Sequence, residues 1–149
     1  MESAKIVIGC TLAAILYGIV HDQVTTRICV EYFTVFHPPL FGTESPTLLG
    51  FGWGIVATWW AGAITGLMLI IVARFGTRAL IPACELLRPV FWLMAGMAAC
   101  AVLFGFLGYF YGTLPSPLPE IIPIDRHQRF LAVWWARTAP LTPADFLAA

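Results

Sequence analysis

LLGFGWGIVATWWAGAITGLMLIIV, residues 48–72, is a run of 25 residues without a charged side chain. About 20 mostly apolar residues in a helix cross the roughly 30 Å of a bilayer's hydrocarbon core. Within the run, Gly50, Gly54, Thr58, Gly62 and Gly66 recur every fourth residue, flanked by a second small row at Ala57, Ala61 and Thr65. Residues four apart share one helix face, and small side chains there let another backbone approach closely. The row therefore predicts a packing seam against the first apolar segment, the third or a second copy of the chain.

Two further runs resemble it. Val90 to Tyr111 has 22 uncharged residues, and Ala4 to Val20 has 17 with Lys5 as its one charge. The first segment offers Cys10, Ala14 and Gly18 at the same spacing of four, and the third offers Gly108 and Gly112 with Met97, Ala101 and Gly105 beside them. The expected fold is an all-α polytopic membrane helix bundle, with transmembrane helices at about 4–20, 46–72 and 89–111. The first segment has neither an A-x-A cleavage site nor an apolar run before the lipobox-like VIGC at 7–10, so it reads as an uncleaved helix.

Composition supports the same class. Of 149 residues, 60% are hydrophobic and 11% charged, against about 25% charged in soluble domains. A water-soluble fold of this length has too much surface for its volume to hide so much apolar area. Eight basic and eight acidic residues leave no net charge and no basic block, which excludes nucleic acid as a partner. Cys10, Cys29, Cys84 and Cys100 show no metal-ligand spacing.

Orientation follows from the arginines near the segment ends. Arg74, Arg78 and Arg88 put the loop at 73–88, with the N-terminus, on the cytoplasmic side of a cell (inner) membrane. The segment at 21–45 and the tail at 112–149 then lie outside. Trp53, Trp92, Tyr109 and Tyr111 suit the interfaces, while Trp59 and Trp60 lie deeper, facing helices or lipid. Ser45 and Pro46 form a helix start signal.

The external segment YGIVHDQVTTRICVEYFTVFHPP, residues 17–39, gathers the polar groups. On a helical wheel, Val24, Ile28, Cys29, Tyr32, Phe33, Val35 and Phe36 share one arc, and Gln23, Thr26, Arg27, Glu31, Thr34 and His37 share the other. That pattern predicts a short amphipathic helix lying on the membrane, ended by Pro38, with Arg27 and Glu31 paired at i,i+4. His21, Asp22 and Thr25 break it by falling on the apolar arc, where Asp22 and Thr25 can touch at i,i+3. Two accounts remain open: the chain has left the membrane and His21 and Asp22 are solvated, or Asp22 is buried against Thr25, His21 or a distant arginine. Further on, the prolines of GTLPSPLPEIIP, residues 112–123, exclude a regular helix. Asp125 can cap a short interfacial helix over RHQRFLAVWWAR, residues 126–137, with Trp134 and Trp135 at the interface, and Thr142 and Pro143 can start one last turn.

These residues also carry a resemblance. His21-Asp22-x-x-Thr25, then Glu31-Tyr32-Phe33-Thr34-x-x-His37-Pro38, then DRHQRFLAVWWA at 125–136, resemble a family of small bacterial integral membrane proteins with no assigned activity. The resemblance implies four membrane helices, the last growing out of the W-W-A region. This chain departs there, because Pro140 and Pro143 break any span after Ala136.

The external polar cluster is therefore His21, Asp22, Thr25, Arg27, Glu31, His37 and His127, with Glu44, Glu120 and Asp125 on the same side. Imidazoles and carboxylates suit zinc or non-haem iron, yet the spacing of His21 and His37 matches no ligand motif. No GxSxG, P-loop, HExxH or dinucleotide-binding glycine pattern occurs. The charge-free second and third segments argue against a single-copy pore. The expectation is a binding or accessory membrane protein without a cofactor, whose partners are the bilayer and a membrane protein or second copy. The alternatives are a metal-dependent membrane enzyme and an oligomeric channel or transporter subunit.

Overall fold

The computed structural model describes residues 2–37, 40–74, 81–113 and 121–138. These form helices α1 (Glu2–Ile28), α2 (Glu31–Thr34), α3 (Pro46–Val56), α4 (Trp59–Arg74), α5 (Ala83–Tyr111) and α6 (His127–Thr138), with a 3₁₀ turn at Ile124–Arg126. The fold is all-helical among the described residues. Glu2–Ile28, Pro46–Ala73 and Ala83–Tyr111 are each long and apolar enough to cross a membrane. Pro38, Arg78, Pro115 to Glu120 and the turn expected from Thr142 lie outside the described residues.

α1 runs eight residues beyond the expected Val20. The extension at 21–28 holds no glycine or proline, and its polar turns find partners inside the protein. The surface helix expected over residues 21–37 is consequently absent. Its first half belongs to α1, and its second is the single turn α2 after a link at Cys29 and Val30. α5 likewise starts six residues early, at Ala83, whose backbone N–H is capped at 3.3 Å by the Glu2 carboxylate of α1.

α1 and the α3–α4 run pack antiparallel along the small-residue row. A methyl group added at Gly54 would lie 2.6 Å from Ile19 Cα, and one at Gly62 would lie 2.7 Å from Cys10 O. At Gly66 it would lie 2.7 Å from Val7 Cα, and at Gly50 3.1 Å from the Asp22 backbone. On α1 the facing row is Ile6, Cys10, Ala14, Gly18 and Asp22, all buried and four apart. The neighbouring row, Ile8, Leu12, Leu16, Val20 and Val24, is exposed. Trp59 and Trp60 are also exposed.

The expected single helix at 46–72 starts at Pro46 but is interrupted at Ala57 and Thr58. Thr58 N–H reaches back only three residues, to Ile55 O at 3.3 Å, while its hydroxyl donates to Gly54 O at 2.5 Å. A threonine bonding back to the preceding turn bends a helix. Before α3, Phe41 holds a left-handed φ of 59°, a conformation costing a non-glycine residue about 1–2 kcal/mol. It lets Leu40 and Phe41 cover Gly52, where an added methyl would meet them at 2.5 and 2.6 Å.

α6 is the largest departure from expectation. It buries one face in the protein: Phe130, Val133 and Trp134 are fully or nearly buried, packed with Cys29, Tyr32, Phe33, Leu49 and Ile122. α6 runs antiparallel to the end of α5, its Leu131 and Trp135 against Gly108 and its Ala132 and Ala136 against Gly105. At 1.5 Å per residue, its 12 residues extend about 18 Å, too short to span. Asp125 lies in the preceding 3₁₀ turn, with Arg126 Nε at 3.5 Å.

The seam predicts a position-dependent tolerance. Gly62→Leu should lower unfolding stability by at least the 1–3 kcal/mol typical of overpacking, because backbone atoms of α1 would have to move. Gly96→Leu, with nothing within 4 Å of its added Cβ, should be tolerated. Thermal unfolding of the purified proteins checks both; equal losses would mean that the row is not a contact.

Candidate functional site

The end of α1, α2, the start of α3 and α6 meet at one end of the bundle. At its centre Asp22, 2% exposed, lies on the buried row of α1. Its carboxylate accepts from Arg137 Nη1 of α6 and, at 3.1 Å, from His21 Nδ1. The Arg137 side chain is itself only 15% exposed. Its guanidinium lies 5.0 Å from the Phe33 ring centroid and 5.5 Å from that of Tyr32. The cation thus rests on two aromatic faces as well as on a carboxylate. Of the two accounts left open by the sequence, the buried one holds, with a distant arginine as partner.

The other polar groups of the cluster separate around this pair. Thr25 does not bond the Asp22 carboxylate; its hydroxyl donates to His21 O at 3.2 Å, and that of the buried Thr26 donates to Asp22 O at 2.6 Å. The expected Arg27–Glu31 pair is absent, since the helix breaks between them. Arg27 instead bonds Gln23 Oε1 at 2.6 Å and Thr47 Oγ1 at 3.1 Å, while Gln23 Nε2 donates to Thr47 O at 2.9 Å. These bonds tie the last turn of α1 to the first turn of α3. Glu31 turns the other way, to Arg126 Nε at 3.7 Å and to the Cys29 thiol at 3.2 Å.

The histidines also divide. His37 donates from Nδ1 to Tyr32 O at 2.9 Å, closing the loop after α2, with its ring 4.9 Å from that of Trp53. His127 donates from Nε2 to Ile122 O at 2.7 Å, shaping the turn into α6. Among the described residues, no three His, Cys, Asp or Glu side chains come together as metal ligands. Burial, with Glu31 beside it, pushes the Cys29 thiol up to about 12, so the group stays a thiol rather than a nucleophilic thiolate. Burial likewise lowers the pKa of His37 below the ordinary value, with Arg137 acting in the same direction.

Beside the Asp22–Arg137 pair, a groove of about 510 Å³ opens between α1, α5 and α6. Tyr17, His21, Thr25 and Tyr109 form part of its wall, and the rest is apolar side chains such as Val24, Val102 and Phe106. Arg137 and the groove are what the sequence reading missed. A signal for the first existed: Arg137 continues the stripe of Phe130, Val133 and Trp134 at helical spacing. No family model, curated protein or solved structure matched this chain.

Removing one partner of a buried pair strands the other charge, typically at about 3–5 kcal/mol. Asp22→Ala and Arg137→Ala should each destabilise on that scale, and the double variant Asp22→Asn with Arg137→Gln by less than their sum. Arg27→Ala, at an exposed site, should lose only about 0.2–1 kcal/mol. Denaturant titration in detergent gives the order, which the reverse ranking would refute. The lowered pKa of His37 favours its neutral ring in the fold. Its contribution is present above the free imidazole value of about 6.5 and is lost as pH falls through the folded value. Stability should therefore decline from pH 7 to pH 5, with a shallower decline in His37→Gln.

Proposed function

We propose that this chain is a three-span integral membrane protein of the cell membrane that acts as a binding or accessory component, its polar cap on the outer side. One observation carries the reading: on α1, the buried row from Ile6 to Asp22 runs beside an exposed row of Ile8, Leu12, Leu16, Val20 and Val24. Large side chains exposed in unbroken register suit hydrocarbon as solvent, whereas a monomer in water rarely shows so extended an apolar band. Exposed Leu67, Met68, Ile71 and Val72 on α4, and Phe91, Trp92, Val102 and Phe106 on α5, extend the band around the bundle.

The resemblance noted from the H-D-x-x-T and E-Y-F-T-x-x-H-P elements supports the same class, and implies a bacterial inner membrane. Binding is favoured over catalysis by how the polar groups are used. His37 and His127 hold backbone carbonyls, His21 supports Asp22, and the Cys29 thiol is buried and protonated. Each stabilises the cap, and none is poised as a base or nucleophile next to an open polar cleft.

Two measurements test the reading. The protein should remain with membranes through an alkaline carbonate wash and be released by detergent. In a cysteine-free background, Glu44→Cys should react with an impermeant maleimide from outside, and Arg78→Cys only after permeabilisation. The opposite labelling would invert the orientation, and release by carbonate would remove the membrane assignment itself.

A further inference from the structure

We infer that the groove between α1, α5 and α6 holds a phospholipid of the surrounding bilayer, with an acyl chain along the groove and the phosphate at Arg129; the inference rests on the membrane reading above. Volume is the first argument. The groove measures about 510 Å³, within the roughly 300–1,000 Å³ of small-molecule sites. A spanning helix is 10–12 Å across and about 30 Å long, so such a space admits about one turn of it. A slender chain fits where a second copy's helix does not.

The wall chemistry is the second argument. Val24, Ala101, Val102, Phe106, Ala132 and Ala136 present carbon. The hydroxyl of Thr25 is committed to His21 O and Nδ1 of His21 to Asp22. Those two groups are thus engaged within the protein, and with the rings of Tyr17 and Tyr109 the wall presents mostly carbon, which suits an alkyl chain better than a polar molecule.

The third argument is charge placement. On α6 the groove-lining residues are Ala132, Val133 and Ala136. Arg129 precedes them at the i, i+3, i+4, i+7 spacing of one helix face, which sets it on the groove side one turn toward the N-terminus of α6. Because Leu131 packs on Gly112, just past the end of α5 at Tyr111, Arg129 is level with the end of the third span. That is the depth of lipid phosphates in the membrane reading. Arg129 is exposed and has no ion-pair partner among the described residues, unlike Arg126 and Arg137. An arginine at that depth with no ion-pair partner among the described residues complements a phosphate.

The test uses the full chain purified in a non-ionic detergent, with native mass spectrometry reading lipid adducts. Phosphatidylglycerol is titrated against diacylglycerol of the same acyl chains. Wild type should carry one phosphatidylglycerol per chain, in preference to diacylglycerol. Arg129→Gln, at an exposed position, should lose about fivefold in that preference. Ala101→Phe, which fills the groove, should carry no lipid while keeping its helical circular dichroism. An unchanged preference in Arg129→Gln overturns the phosphate placement even if Ala101→Phe fails to fold. Equal lipid adducts in folded Ala101→Phe and wild type overturn the groove as the site. A dimer that forms in wild type and is lost in Ala101→Phe would make a second copy the occupant and overturn the inference too. A protein that needs detergent for extraction but binds no phospholipid loses this inference alone, whereas one released by carbonate loses the membrane reading with it.

Discussion

The close approach of α1 to the α3–α4 run sets the rest of the structure. Gly18 and Gly54 meet backbone to backbone, and a side chain on either would push the helices apart. Small side chains let the two backbones come close, so van der Waals contact over a long seam holds the pair together. The row Ile6, Cys10, Ala14, Gly18 and Asp22 supplies one side, and Gly50, Gly54, Gly62 and Gly66 the other. Because the match runs from Val7 beside Gly66 to Asp22 beside Gly50, the register along the helices is set. That register brings the ends of α1 and α3 together, where Gln23 and Arg27 reach Thr47.

Asp22 sits on the same row and is its one charged member. Placing a carboxylate there carries a desolvation cost that an apolar residue would avoid. Arg137, with the rings of Tyr32 and Phe33 beneath it, offsets that cost. The consequence is specificity of arrangement: α6, too short to anchor itself by spanning, is held with Phe130, Val133 and Trp134 over α2 and the end of α1. The pair thus joins two segments more than a hundred residues apart in the chain. It also holds α6 as one wall of the groove, so the geometry of the proposed lipid site depends on a buried charge that no lipid need touch.

What the sequence by itself determined was the set of long helices and one face of their packing. Charge-free runs of 25 and 22 residues have few alternatives to long helices, since their backbone groups must pair internally if they meet hydrocarbon. The spacing of four along Gly50 to Gly66 was legible because small side chains in register are a local property of one helix. Tertiary structure decided the polar segment. The wheel drawn through residues 21–37 assumed one unbroken helix, and the break at Cys29 and Val30 parts Arg27 from Glu31. Tertiary structure also decided the partner of Asp22. Period and propensity describe neighbours within a few residues, whereas a buried carboxylate takes whichever cation the fold brings to it, here one 115 residues away.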